Sequence, residues 1–185
     1  MKERYINIEN NSNTTFFFDT NPKKNIFCGK LIIPSPANEK DSPVHHILKN
    51  KLHIHFIFDD DIPEINFFPI PSLAVFATNN KGIFASSNLD VDLNEKNAPI
   101  FFIDLNRKSF LIAMNLRELF AKLIYHPEEL KERWDFSLLD QTEYHLLASA
   151  LGIDNNFSIK KNNPDLFQVT LYESLEDAST LYKIE

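Results

Sequence analysis

Cysteine occurs once in the 185 residues, at Cys28. No intrachain disulfide can form, and a zinc site built on paired thiolates is excluded. The setting Ile26-Phe27-Cys28-Gly29 reads as a small buried hydrophobe, because a reactive thiol needs an accessible, electropositive environment. Glycine is almost as scarce, with three residues standing singly at 29, 82 and 152. A P-loop or a dinucleotide-binding turn needs clustered glycines, so neither is present. Apolar runs are short. None approaches the ~18 residues of a membrane-spanning helix, and Met1-Lys2-Glu3-Arg4-Tyr5 leads into polar sequence rather than the apolar core of a secretory signal. A cytoplasmic protein is the expectation. Ser35, Ser42, Ser72, Ser86 and Ser87 lack the G-x-S-x-G elbow of a serine hydrolase.

An excess of positive charge is also missing. The chain has 26 acidic and 19 basic side chains, for a net charge of -7. The imbalance is local: residues 1–127 carry 14 of each sign, whereas residues 128–185 carry 12 acids and 5 bases. A surface that tracks phosphates has the opposite sign, so direct nucleic-acid binding is not expected. An acidic C-terminal third attracts a basic protein partner, or simply aids solubility.

What is present is apolar and strand-like first, helical later. Hydrophobic residues make up 43% of the chain, with 17 phenylalanines, enough for one sizeable core. Thr14 to Phe18 and Ile26 to Ile33 read as a hairpin, and three prolines between Pro34 and Pro43 mark a loop. Leu52 to Phe58 alternates, with Leu52, Ile54, Phe56 and Phe58 on one face and His53, His55 and Ile57 on the other. Phe67-Phe68-Pro69-Ile70-Pro71 is apolar but too proline-rich for a central strand. Residues 73–86 form a second hairpin, turning at Asn79-Asn80-Lys81-Gly82, with Gly82 available for a positive φ. Residues 100–105 and 109–114 form a third.

The hydrophobic period then changes from two to 3.6. Asn115 caps a helix with Leu116, Leu119, Phe120, Leu123 and Ile124 as its apolar stripe. Pro127 restarts a helical segment. Ser137 reads as the cap of another helix, with Leu138, Leu139, Thr142, Leu146, Leu147 and Ala150 on its inner face and Gly152 as its stop. Ser174 reads as the cap of a last helix, to about Tyr182. The fold expected is α+β: a mainly antiparallel sheet of about six strands, followed by two or three helices packed on it. It forms a single domain over residues 1–185, with 128–185 as a candidate helical subdomain.

Three groups carry candidate chemistry. His53 and His55, two apart in a strand, point the same way and could share a metal ion with Asp59, with His45 or His46 folding back. Asp59-Asp60-Asp61 with Glu64 could hold magnesium, but a solvated turn after an apolar strand is the favoured reading. Asp90, Asp92 and Glu95 offer paired carboxylates. The remaining signal is Trp134 among charges, in Glu132-Arg133-Trp134-Asp135-Phe136. It reads either as a core residue or as the apolar contact of a partner-binding face made by Glu128, Glu129, Glu132 and Asp135. Positions 128, 132 and 135 would share one helical face. No cofactor is implied.

Residues 68–124 carry a resemblance. Phe68-Pro69-Ile70-Pro71 precedes Leu73-Ala74-Val75-Phe76-Ala77, then Asn80-Lys81-Gly82-Ile83-Phe84-Ala85, then Ala98-Pro99-Ile100-Phe101-Phe102-Ile103. Phe110-Leu111-Ile112-Ala113 then leads into Asn115-Leu116-Arg117-Glu118-Leu119-Phe120. This order resembles the SUKH superfamily of bacterial toxin-immunity proteins and fungal cell-wall regulators. The resemblance implies that Phe76, Gly82, Ile83, Ile103, Ala113, Leu116 and Phe120 are scaffold residues. It also implies a non-enzymatic protein that binds and neutralises a toxin domain, often a nuclease and therefore basic. A metal-assisted hydrolase and a structural subunit with exposed phenylalanines are the alternatives.

Overall fold

A computed structural model describes residues 15–21, 24–65, 67–87, 93, 98–153 and 169–173. The strand and turn signals become β1 (Thr15–Asn21), β2 (Lys24–Ile32), β3 (His55–Phe56), β4 (Phe68–Ile70), β5 (Leu73–Asn79), β6 (Gly82–Ser86), β7 (Ile100–Asp104), β8 (Ser109–Ala113) and β9 (Thr170–Tyr172). The helices are α1 (Pro43–Asn50), α2 (Leu116–Tyr125), α3 (Glu128–Lys131) and α4 (Gln141–Ala150). The main sheet runs β1-β2-β5-β6-β7-β8, with β3 also on β5. Every pairing in it is antiparallel except β2 with β5. The expected α+β architecture is what the chain adopts.

Alternation along the strands divides the core between the two faces of this sheet. In β7, Ile100 and Phe102 point to the helices, while Phe101 and Ile103 point away. In β5 the register shifts between Val75 and Ala77. This bulge sends both Phe76 and Ala77 to the helix face, while Leu73 and Val75 serve the other. On the helix face, Leu116, Leu119, Phe120 and Leu123 of α2 meet Phe84, Phe102 and Ile112. The opposite face is covered by Ile57, Ile65 and Phe67 and by a small two-stranded ribbon, β4 with β9. Placing Phe68-Pro69-Ile70 in that ribbon keeps proline out of the main sheet, as its missing N–H requires. Leu130, Trp134, Phe136, Leu147, Ala148 and Ile153 share the cluster of Phe76 and Phe84. Residues 130–153 thus contribute to the helix-face core, while β9 belongs to the ribbon on the other face.

Several local expectations need correction. Residues 43–50 form α1, which the strand and loop reading passed over. Its start is legible: Ser42 Oγ accepts from His45 N at 3.2 Å, and Pro43 takes the first helical position. Gly82 has no positive φ. It is needed because an added Cβ would meet the Phe102 ring at 2.8 Å and the Ile103 carbonyl closer still. Asn115 does cap α2, accepting from Glu118 N at 2.7 Å. The next helix is capped three residues later than expected, by Asp140 rather than Ser137. Asp140 accepts from Thr142 N and Glu143 N, and Asp140 N donates in return to Glu143 Oε2. Its buried residues are consequently Leu147 and Ala148, and Leu138 is exposed. Gly152 ends it with φ +61, as a stop should. The helix expected after Ser174 and the carboxylates Asp90, Asp92 and Glu95 lie outside the described residues.

Candidate functional sites

The acidic segment and the groove histidines His45, His46 and His55 form two surfaces, joined through His53. The first is the acidic segment 128–135. It is not one continuous helix: α3 ends at Lys131, and a turn carries the chain to Trp134. The expectation that 128, 132 and 135 share a helical face is therefore replaced by a different device. Leu130, Trp134 and Phe136 point inward, and Glu128, Glu129, Glu132 and Asp135 are exposed.

Trp134 is 2% exposed, so it offers no contact to a partner. Its ring stands perpendicular to Phe84 at 5.0 Å between centroids, with Phe102 at 5.2 Å and Phe136 at 5.6 Å. An indole N–H needs a partner when buried, and Trp134 Nε1 donates to the Leu52 carbonyl at 2.9 Å. Two further bonds clamp the same stretch. Ser137 N donates to the Lys51 carbonyl at 2.8 Å, and His53 Nδ1 donates to the Asp135 carbonyl at 2.9 Å. The segment is thus fastened to residues 51–53, more than eighty positions away in sequence.

The two cations inside this segment lie over aromatic rings. The Arg133 guanidinium sits 4.0 Å from the centre of Phe110, and Lys131 Nζ sits 5.9 Å from that of Phe136. Among the described residues, Glu129 is the one acid of the four with a cation within ion-pair distance, Lys122 Nζ at 4.0 Å. Lys122 is itself buried, donating to the Ile112 carbonyl at 2.9 Å and facing Glu118 at 3.5 Å. Glu128, Glu132 and Asp135 are left as the outward acids.

The second surface is a groove of about 380 Å³ between α1 and β3. His46, Lys49 and Asn50 line it from the helix, and His55, Phe56 and Phe58 from the strand side. The metal-ligand expectation fails here for a backbone reason. Residue 53 is not in a strand: His53 has φ +51, a left-handed conformation, and β3 begins only at His55. His53 and His55 therefore do not share a strand face, and the His53 ring is tethered to Asp135. Asp59 Oδ1 accepts from Ala37 N at 3.0 Å, and Asp60 pairs with Lys40 at 3.2 Å. Among the described residues no three His, Cys, Asp or Glu side chains converge as a metal-ligand set.

Within the groove His45 is fixed. Its Nδ1 is 2.8 Å from the Glu39 carbonyl, which can only accept, so the proton sits on Nδ1. The ring stands edge-on to Phe56 and Phe58, at 5.3 and 5.1 Å. His55 is held below the ordinary imidazole value, first by partial burial and then by the charges of Lys49 and His53. Lys49 was missed in the sequence because α1 was missed. The available signal was Ser42-Pro43 followed by Val44, Ile47 and Leu48 at helical spacing.

Comparison with protein-family models, with curated proteins and with solved structures finds no match. Among the described residues no helix is long and apolar enough to cross a membrane.

Proposed function

We propose that the chain is a protein-binding domain rather than an enzyme, with the acidic segment 128–135 receiving a basic protein partner. The observation that supports this best is the excess of exposed acid on this segment. Glu128, Glu132 and Asp135 face solvent on a backbone pinned by Trp134 and His53, and the two cations of the segment, Lys131 and Arg133, are also exposed but lie over the Phe136 and Phe110 rings. A rigid array of like charges loses little entropy on binding and steers an oppositely charged partner. The SUKH resemblance of residues 68–124 narrows the partner to a toxin domain, and a nuclease toxin would supply the basic surface. A cytoplasmic setting belongs to the same proposal, since a lone cysteine asks for no oxidising compartment.

The structural-subunit alternative rests on exposed phenylalanine. Among residues 30–65, 67–87, 93, 98–153 and 169–173, the large exposed apolar side chains are Ile62, Leu105 and Leu138, none of them phenylalanine, while the side chains of Phe16, Phe17, Phe18 and Phe27 lie outside those described.

The test is co-purification from native cells, followed by association kinetics of the recovered protein. The variant carries Glu128→Lys, Glu132→Lys and Asp135→Lys, leaving Glu129 to its buried neighbour Lys122, with folding checked by circular dichroism. The expected result is a basic partner whose association slows at least about tenfold at low salt and loses most of its salt dependence. An unchanged rate at low salt, or a recovered partner without basic character, would refute the proposal.

A further inference from the structure

We propose that the groove between α1 and β3 binds a small organic anion. Its carboxylate or phosphate would lie between Lys49, His46 and His55, and its apolar body would lie against Phe56 and Phe58. This site is independent of the acidic segment and of any protein partner.

The first argument is an unneutralised cation. Lys40 pairs with Asp60, and Lys51 pairs with Glu143 at 2.9 Å. Lys49 lines the groove and has no carboxylate within ion-pair distance among the described residues. His46 and Lys49 are three apart on α1, so their side chains lie one above the other on one helical face. His55 approaches from β3, and none of the three side chains is engaged elsewhere in a hydrogen bond among the described residues.

The second argument is the field at His55. Partial burial, then the positive Lys49 and the neighbouring His53, disfavour its protonation. An anion placed there relieves that repulsion and gains a second cationic donor. The ionisable groups facing the groove are His45, His46 and Lys49 from α1, Lys40 and Asp41 from the turn before it, and His55 and Asp61 from the β3 side. The carboxylates of Asp41 and Asp61 disfavour an anion beside themselves, so the favoured position is the Lys49–His55 end.

The third argument is shape and lining. The volume of about 380 Å³ suits a small molecule, and the aromatic floor is set by His45 standing edge-on to both phenylalanines. A bare inorganic ion would leave that floor unused.

The probes are benzoate and phenyl phosphate, which separate carboxylate from phosphate, with benzyl alcohol as the uncharged control and zinc chloride as the metal control. The readout is histidine ring resonances by NMR across pH 5–8, in the full chain and in Lys49→Gln. One of the two anions is expected to shift His46 and His55 saturably at millimolar concentration, leaving His126 and His145 unmoved. The titration midpoint of His55 should rise, binding should tighten as pH falls, and Lys49→Gln should weaken binding about tenfold. The proposal is overturned if neither anion shifts these rings, if benzyl alcohol binds as well as benzoate, or if Lys49→Gln binds equally. Micromolar zinc shifting both rings while both anions stay silent would also overturn it and make the groove a metal site.

Discussion

The two faces of the sheet are closed in different ways. The helix face is a connected set of rings, from Phe76 through Phe84 and Phe102 to Trp134 and Phe136. Its edges are stitched by hydrogen bonds between residues distant in sequence, such as Trp134 to Leu52. The ribbon face is mostly aliphatic and holds a buried amine. Lys30 is 8% exposed, donates to the Phe67 carbonyl at 3.3 Å, and lies over the Phe67 and Phe68 rings. Burial lowers the Lys30 pKa below the ordinary lysine value, against the opposing pull of Glu64. Both candidate binding surfaces adjoin the helix-face core, one through Trp134 and Phe136 and the other through Ile54 and Phe56.

The largest test of this contrast is Trp134→Ala. It removes a buried ring from the centre of the helix face and should cost about 3–5 kcal/mol. Trp134→Phe should cost less, since it keeps much of the ring packing. Denaturant unfolding measures both, and a loss under about 1 kcal/mol for the alanine variant would mean that the helix face does not depend on this ring.

Gly82→Ala probes the seam between the faces. The added methyl meets the β7 backbone rather than a flexible side chain, so about 1–3 kcal/mol should be lost. Thermal unfolding reads this directly, and an unchanged midpoint would show that β6 and β7 can spread without cost.

Asp140→Ala removes the side chain that satisfies two backbone N–H groups at the start of α4. The expected loss is about 1 kcal/mol. Asp140→Asn should keep most of that stability, whereas Ser137→Ala should change little, because Ser137 is not the cap.

The smallest effect concerns Lys30 and is seen as a slope with pH. A lysine whose folded pKa is depressed binds fewer protons folded than unfolded between that value and about 10.4. Stability should therefore rise with pH through that window, because the cost of burying the charge disappears as the amine neutralises. In Lys30→Met this contribution to the slope should vanish. Identical pH dependence of the denaturation midpoint in the two proteins would refute a buried, charge-penalised Lys30.

Much of the sheet was legible because its cause is local. Asn79 to Gly82 and Asn106 to Lys108 are turn sequences between apolar runs, and β5 to β8 fall where those runs lie. The α2 stripe was legible for the same reason, since a period of 3.6 residues needs no partner to be seen. The candidate sites were less legible. The acids of 128–135 and their proposed partner-binding role are readable in the sequence, but the inward Trp134 and the part played by Lys49 are not. Alternation from Leu52 to Phe58 implied one strand with two histidines on one face. In the fold, Leu52 and Ile54 are drawn into the helix-face core, and His53 takes a left-handed turn so that its ring reaches Asp135.

By itself, the sequence determined where strands and helices occur, where charge accumulates, and which residue types could do chemistry. Those properties depend on neighbours within one or two turns of chain. Tertiary structure decided which of these residues meet. It turned Trp134 inward, because only Phe84, Phe102, Phe136 and the Leu52 carbonyl together satisfy an indole of that size and polarity. It placed the exposed Arg133 and Lys131 over the Phe110 and Phe136 rings, beside the exposed acids of 128–135. It also left Lys49 without a carboxylate partner among the described residues, because an ion pair depends on distance in space, which short-range sequence pattern does not encode.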